Sequence, residues 1–526
     1  MICVSDYEME VILDILKKHA CDCEIYVFGS RQKWTAKDYS DLDLAFVLPG
    51  GNALGVKRVA ALQEAFSESV LPYRVDVVDY NAVSTQFKAV IDAEKERVIG
   101  DGAKAQWERV RLGDTRVQII DGDRGKNYPK QFTENGHCLF LSTKNVTSTG
   151  FCFKTKQFIT QEQDELLRKG KLDRNDIILT TRGTVGNVAF YNDKVPYVRM
   201  RINSGMVILR ADREFINPYY LYYVMKSAQT QNQILHMRTG SAQPQFPISH
   251  MINLEIPTPP LEIQRAIAVT LSALDEKIAN NAKINHHLEQ MAKAIFKSWF
   301  VDFEPWGGVM PDDWREGTFN EVISVTISGD WGKDTPTGNN TQEAYCIRGA
   351  DIPDVNAGNK GKMPIRYILP KNYVIKQLAV GDIVIEISGG SPTQSTGRCA
   401  LITQSLLDRY DRGMVCTNFC RAVKPLAGYS PFVYFYWKYL YAQNVMFAYE
   451  NGTTGIKNLN ISGLLETEPI IIPPAKVADQ FAKAVGTFID TVFANGLENE
   501  TLATSRDTLL PRLMSGELSV ANLTVK

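Results

Sequence analysis

The 526-residue sequence predicts an α+β multidomain chain: two α/β modules separated by a pair of long antiparallel coiled-coil helices, with a small α/β domain in front. Three observations predict it. The run Ile256-Pro257-Thr258-Pro259-Pro260 precedes one long helical pattern and Ile471-Ile472-Pro473-Pro474 precedes another, with an offset of 214 residues from Pro260 to Pro474. The two helical patterns share a heptad seam, asparagines included. Residues 1–100 have no counterpart in the repeat.

A chain this long exceeds what one hydrophobic core serves, so several domains are expected. Boundaries are placed at 1–104 for the front domain, 105–260 for the first module, 261–304 for the first spacer helix, 305–474 for the second module and 475–526 for the second spacer helix. Hydrophobic content of 44% with 22% charged residues is ordinary for a globular protein, without an apolar run of about 18 residues. Met1 to Glu10 holds three acids and no basic stretch, so no secretory signal is read there and a cytoplasmic location is expected. Nine cysteines are scattered, with Cys21/Cys23 and Cys416/Cys420 closest together. That spacing lacks the second pair of a zinc site, so reduced, packed thiols are expected.

In the front domain, strand-like Ile25-Tyr26-Val27-Phe28 leads into Gly29-Ser30, then Ser40-Asp41-Leu42-Asp43-Leu44-Ala45-Phe46, then Tyr73-Arg74-Val75-Asp76-Val77-Val78-Asp79. Two carboxylates at a strand start can converge on one metal ion, and a third from a neighbouring strand completes a magnesium site; paired ions can clamp nucleotide phosphates. Gly29-Ser30 supplies a tight turn and a hydroxyl for a phosphate.

Each rear module reads as short strands, polar Gly-rich loops and a closing helix. Asp176-Ile177-Ile178 aligns with Asp382-Ile383-Val384, and both are followed by Gly-containing loops. Arg238-Thr239-Gly240-Ser241-Ala242-Gln243-Pro244-Gln245 meets Asn451-Gly452-Thr453-Thr454-Gly455-Ile456-Lys457. Arg, Lys, Asn, Gln, Ser and Thr are the side chains that read base edges, and Lys and Arg attract phosphates. Candidate contacts to duplex DNA are therefore Lys126, Asn127, Arg182, Arg238, Ser241, Gln243 and Gln245 in the first module. In the second they are Thr393, Gln394, Arg398, Thr453, Thr454 and Lys457. Residues 106–260 carry 21 basic and 14 acidic side chains, which suits a polyanion; residues 306–474 carry 15 and 16, so phosphate contacts there must be local.

The first helical seam is Ile267, Leu271, Leu274, Ile278, Asn281, Asn285, Leu288, Ala292, Ile295 and Trp299. Adding 214 gives Phe481, Val485, Phe488, Val492, Asn495, Asn499, Leu502, Arg506, Leu509 and Leu513. Buried seam asparagines cost stability and fix register, and a pseudo-twofold axis would bring the two Asn layers together. Arg506 is the departure, expected to reach water near the helix end. A helix of about 40 residues is roughly 60 Å long, on the scale of one to two turns of DNA, so the pair would act as a ruler between two readers. Asn217-Pro218-Tyr219-Tyr220 has the look of an adenine methyltransferase loop lacking one proline, but it aligns with Ser430-Pro431-Phe432 and is read as a helix start with proline in the first turn.

The phrases Pro259-Pro260-Leu261-Glu262-Ile263-Gln264-Arg265-Ala266-Ile267-Ala268, Leu274-Asp275-Glu276-Lys277-Ile278 and Ala294-Ile295-Phe296-Lys297-Ser298-Trp299-Phe300-Val301-Asp302-Phe303 closely resemble the central conserved region of type I restriction-modification specificity subunits. Leu509-Leu510-Pro511-Arg512-Leu513-Met514-Ser515-Gly516-Glu517-Leu518 resembles their distal conserved region, and Trp107-Glu108-Arg109-Val110-Arg111-Leu112-Gly113-Asp114 their usual opening. The resemblance implies two target-recognition domains that bind double-stranded DNA at a bipartite, gapped sequence. It implies docking of two methyltransferase subunits and of restriction/translocase subunits, with S-adenosylmethionine and ATP bound by those partners and no cofactor needed for the specificity function itself. The front domain resembles the minimal, polymerase beta-like nucleotidyltransferases through Gly29-Ser30 and Asp41-Leu42-Asp43. Carried over, Asp41, Asp43 and Asp76 would be catalytic metal ligands for Mg2+, Gly29 and Ser30 would hold a nucleoside triphosphate, and Asp79 is an alternate third acid. A toxin-like protein partner is implied with them. The competing reading makes that domain the main activity, a nucleotidyltransferase acting on a protein or RNA and targeted by a DNA-binding rear half.

Overall fold

The computed structural model describes residues 4–20, 22–31, 40–48, 50–98, 107–240, 243–391, 394–452 and 457–518. The chain divides into two compact units, essentially residues 1–106 and 107–514.

In the front unit, alternating apolar residues make a four-stranded sheet in the order Val75–Asp79, Leu42–Val47, Glu24–Phe28, Glu96–Arg97. Leu42–Val47 runs antiparallel to Glu24–Phe28 and parallel to Val75–Asp79. The parallel pair requires a crossover, supplied by the helix Val56–Ser67. Ile12, Leu16, Ile25, Val27, Leu44, Phe46 and Leu62 fill the core. The first helix, Asp6–His19, begins on a reciprocal cap: the Glu8 amide donates to the Ser5 hydroxyl and the Ser5 amide to the Glu8 carboxylate.

The rear unit contains one topology twice. The first module has an antiparallel sheet ordered Val188–Phe190, Ile177–Thr180, Met206–Arg210, Gln118–Asp121; the second has Cys399–Leu401, Ile383–Glu386, Cys420–Pro425, Ile323–Ser328. A second sheet pairs Cys138–Leu141 with Phe158–Ile159 and, in parallel, Met200–Ile202. Its counterpart pairs Gln342–Ile347 with Ile365–Ile368 and, in parallel, Met414–Cys416. Each module closes on a two-stranded ribbon, Arg109–Arg111 with Glu255–Pro257 and Arg315–Gly317 with Ile470–Ile472. The copies differ in several connections, among them the one after the central strand of this second sheet. Where the first has the hairpin Val146–Thr147/Gly150–Phe151, the second has the helix Ile352–Asn356.

Two long helices follow, Leu261–Phe300 and Ala475–Ser515. Ile267, Ala268 and Leu271 from the start of the first helix and Leu510, Leu513 and Met514 from the end of the second join the first module's core. Ala478, Phe481 and Val485 together with Ala292, Phe296 and Phe300 join the second's. Each module is thus closed by the start of its own helix and the end of the other. Trp107 is tied into the same end, its indole N–H donating to the Leu513 carbonyl at 3.1 Å.

The helices touch in opposite sense. Asn281 Nδ2 donates to Asn499 Oδ1 at 2.9 Å, Asn495 Nδ2 donates to Asn285 Oδ1 at 2.8 Å, and Arg506 pairs with Asp275 at 2.6 Å. Asn285 Nδ2 also donates to the carbonyls of Val492 and Ala357. Two details differ from the sequence reading. Arg506 does not run out to water: its guanidinium binds Asp275, whose other oxygen accepts the Tyr223 hydroxyl at 2.7 Å. Near the end of the first helix the fully buried positions are Phe296 and Phe300, with Ile295 and Trp299 only partly buried, because the aromatic helix Ser430–Ala442 packs on that face.

Asn217 caps the helix Pro218–Lys226, accepting from the Tyr220 amide, with Pro218 in the first turn and the Tyr220 hydroxyl bonded to the Pro257 carbonyl. That stretch is a buried helix start. Cys138, Cys346, Cys399, Cys416 and Cys420 are buried free thiols. Among the described residues no helix is long and apolar enough to cross a membrane.

Candidate nucleic-acid interface and carboxylate site

In the front unit Gly29 follows the strand Glu24–Phe28 with φ of +81°, and a Cβ there would stand 2.5 Å from Asp43 Oδ2. The glycine therefore serves both the turn and the close approach of a carboxylate. Asp43 sits opposite Phe28 on one side and Asp76 on the other. Asp41 is exposed at the strand's start, and Ser30 is half-buried on the turn. Burial raises the Asp43 pKa, and the charges of Asp76 and Asp41 raise it further. Asp76 lies 2.8 Å from the Arg74 guanidinium. Asp79 is turned to the backbone instead, accepting from the amides of Leu54 and Asn81, and so closes a turn. Among the described residues no three His, Cys, Asp or Glu side chains already stand around one metal position. The donor set nonetheless suits a cation: three carboxylates around one strand start, with the central one under charge repulsion that a cation would relieve.

In the first module three loops meet. The amides of Thr181 and Arg182 both donate to the Gly205 carbonyl. Arg182 bridges to Gln245, and Gln245 exchanges two 2.8 Å bonds with Thr239. Gly240, at φ of +83°, lies where a Cβ would fall 2.8 Å from the Gln243 carbonyl oxygen, so this turn requires glycine. Arg238 and Gln243 are exposed on it. The third loop starts at Gly122, whose Cβ position is 2.3 Å from the Asn203 carbonyl oxygen. It carries exposed Lys126, while Asn127 is half-buried and bonded to Leu166. Arg182, Arg238, Gln243 and Gln245 thus share one loop cluster, and the turn 203–205 joins it to the Lys126 loop.

The second module repeats the arrangement. Ser388–Gly389, Lys457–Leu459 and Glu450–Asn451 form a small sheet in that order, and the Ile387 amide donates to the Phe419 carbonyl as Thr181 does to Gly205. Gly329 has its Cβ position 1.8 Å from the Thr417 carbonyl oxygen, the counterpart of Gly122 on Asn203. Exposed Gln394 closes a turn with Ser391. Ser241, Thr393, Thr453 and Thr454 lie outside the described residues.

Residues 104–290 match the family model described as the type I restriction modification DNA specificity domain, and residues 10–101 match that of the polymerase beta nucleotidyltransferases. Over 457 residues the chain is 26% identical to the type I restriction enzyme MjaIX specificity subunit of Methanocaldococcus jannaschii, covering 82% of this chain and 97% of the relative. Residues 104–290 thus carry a type I restriction specificity domain, and most of the chain is similar to specificity subunits. Its front domain is 40% identical over 88 residues to the probable protein adenylyltransferase MntA of Haemophilus influenzae, covering 17% of this chain and 75% of that protein. A crystal structure of the type I restriction-modification S subunit from M. genitalium is similar at a TM-score of 0.49 and 18% identity, covering 79% of this chain and 98% of that one.

Two of the predicted contacts are committed to holding loops. Arg398 forks onto Glu386 at 2.6 and 2.8 Å, and Lys457 pairs with Glu450 at 2.8 Å. Glu450 also accepts from the Thr396 amide and hydroxyl, so it ties three segments together. Beside the predicted residues these loops also carry Arg124, Trp331 and Lys333, all three exposed. Their signal is visible in the sequence as a second repeat, Gly122-Asp123-Arg124-Gly125-Lys126 against Gly329-Asp330-Trp331-Gly332-Lys333. The offset there is 207 residues, so aligning at 214 conceals it.

Proposed function

We propose that this specificity subunit reads two short DNA half-sites across a fixed gap, one with each loop cluster, and that the antiparallel helix pair sets the gap. The observation that carries the reading is the crosswise pairing of Asn281 with Asn499 and Asn285 with Asn495. Each asparagine meets the repeat of the other, which is the signature of a pseudo-twofold axis, and DNA-reading dimers match such symmetry to paired half-sites. Arg182, Arg238, Gln243 and Gln245 are assigned to the first half-site and Gln394 to the second. Arg398 and Lys457 position loops. The segments 1–104, 105–260, 261–304, 305–474 and 475–526 are the working parts. Relatives are named as subunits of restriction enzymes; here two methyltransferase subunits and a restriction/translocase subunit would bring S-adenosylmethionine and ATP, in the cytoplasm. Selecting bound duplexes from a random pool with the purified chain and its co-purifying subunits tests this. Two conserved blocks at constant separation are expected, and a single ungapped block would refute it.

A second reading concerns the front domain, and the charge repulsion on Asp43 favours it. Asp41, Asp43 and Asp76 would hold Mg2+, with Gly29 and Ser30 against the phosphates of a nucleoside triphosphate, and the acceptor would be a toxin-like protein. The bound cation would neutralise phosphate charge. Gly29 leaves the space for this approach. Incubation with labelled ATP or CTP and magnesium beside Asp43→Asn tests it: label that persists in the variant refutes the assignment.

A further inference from the structure

The two loop clusters are built alike and finished differently. At the position equivalent to Arg124 the second module has Trp331, and at the position equivalent to Gly205 it has Phe419. The equivalence rests on backbone contacts common to both copies: the Gly122 and Gly329 approaches to Asn203 and Thr417, and the amide bonds of Thr181 to Gly205 and of Ile387 to Phe419. Both aromatics are presented to solvent, Phe419 at 61% exposure and Trp331 at 37%. The Asp330 amide donates to the Cys416 carbonyl, so the Trp331 loop and the Thr417–Phe419 turn stand side by side. Trp331 is also held in place. The Arg366 guanidinium lies 4.1 Å from its ring centre, bonded to the Trp331 carbonyl and to Asp334. A rigid exposed ring loses little freedom on binding.

Exposing two large aromatic rings on one loop cluster costs solvation free energy and marks an interaction surface. The charge distribution indicates what covers it. The first module has an excess of seven positive charges and places Arg124 at this point, whereas the second has 15 basic and 16 acidic side chains and places rings there. A near-neutral reader lacks the general phosphate attraction of its twin and needs another source of affinity at the same place. We infer that Trp331 and Phe419 are the base-contacting residues of the second reader, making apolar contact with the bases of its half-site, while the first reader relies on Arg124 and its charged neighbours. Apolar side chains recognise the thymine methyl group and wedge against base steps, and neither contact depends on counterion release. The inference rests on the proposed bipartite reading.

The test uses the full chain with its co-purifying subunits and the duplex consensus obtained by random-pool selection. Phe419→Ala and Trp331→Ala should lower affinity by roughly ten- to a hundredfold, the range for losing one base–aromatic contact. The dependence of affinity on salt should stay unchanged. Arg124→Ala should instead weaken binding with a salt slope smaller by about 1. 5-Iodouracil placed through the second block should crosslink to Trp331 or Phe419 on irradiation. Trp331→Phe, which keeps a ring over Arg366, separates loss of contact from loss of folding and should retain most of the affinity. Unchanged affinity in both alanine variants overturns the inference while leaving the bipartite reading intact. So does loss of the co-purifying subunits with no crosslink to DNA, which would make the surface a protein interface. Absence of any gapped consensus removes the underlying reading itself.

Discussion

Replacing Gly496 by alanine sets two opposed effects against each other. In an unencumbered helix interior, Gly→Ala stabilises by about 0.5–1 kcal/mol. Gly486 is such a place: it lies in the same helix with nothing within 4 Å of its Cβ position. At Gly496 the new Cβ would stand 1.8 Å from the Gly358 carbonyl oxygen, so backbone must move by more than an ångström. That backbone is pinned. Arg409 donates to the Gly358 carbonyl at 2.6 Å and Asn285 to the Ala357 carbonyl at 3.2 Å. Overpacking costs about 1–3 kcal/mol, and breaking one of these buried bonds a further 1–3 kcal/mol or so. Gly496→Ala should therefore destabilise by about 1–5 kcal/mol net and lower the thermal midpoint of the full chain by several degrees, while Gly486→Ala leaves it equal or raises it. Equal stabilisation by both variants would refute the packing of the 357–358 loop on the second helix.

Three further outcomes follow from the same contacts. Asn285→Leu should cost about 1–3 kcal/mol by orphaning Ala357 and Asn495, and adding Asn495→Leu should restore part of it; purely additive losses in a double-mutant cycle of thermal unfolding would contradict the pairing. Glu289 is half-buried, and burial alone would raise its pKa, yet Lys438 at 2.6 Å and Lys293 hold it at about 2. A depressed carboxylate stabilises above its unfolded value near 4.5 and loses that contribution as pH falls through about 2. Lys438→Met should therefore cost about 3–5 kcal/mol at neutral pH and move acid unfolding to higher pH; an unshifted acid transition would contradict it. Asp43 behaves in the opposite way: its folded pKa is raised, so its contribution is present below about 4 and lost as pH rises through the folded value. Asp43→Asn should make the front domain more stable at pH 7 and flatten its pH profile above about 4, and a less stable variant at pH 7 would refute the repulsion.

The parts of the fold legible in the sequence are those with a strong period or a local rule. The heptads of Leu261–Phe300 and Ala475–Ser515, the proline-led helix starts and the Gly29-Ser30 turn before Asp41 and Asp43 all follow from spacing. What the sequence conceals depends on partners brought from afar. Phe296 and Phe300 replace Ile295 and Trp299 as the buried pair because the aromatic helix Ser430–Ala442 lies on one side of the seam. Arg506 finds Asp275 on the other helix, 231 residues away in sequence. Gly358 and Gly496 meet only in three dimensions, and nothing local marks either as a contact. In the candidate interface, residue type alone could not separate exposed Lys126 and Gln243 from Arg398 and Lys457, whose charges are matched by Glu386 and Glu450. Trp331 carries no carboxylate, amide or cationic group, so residue type alone does not mark it beside the polar loop residues.

The central claim is that this chain directs methylation to two half-sites a fixed distance apart. Genome-wide mapping of adenine methylation in cells with and without the gene tests it most directly. Loss of a single motif made of two short blocks around a constant gap is the predicted result. A methylome unchanged by the deletion would contradict it.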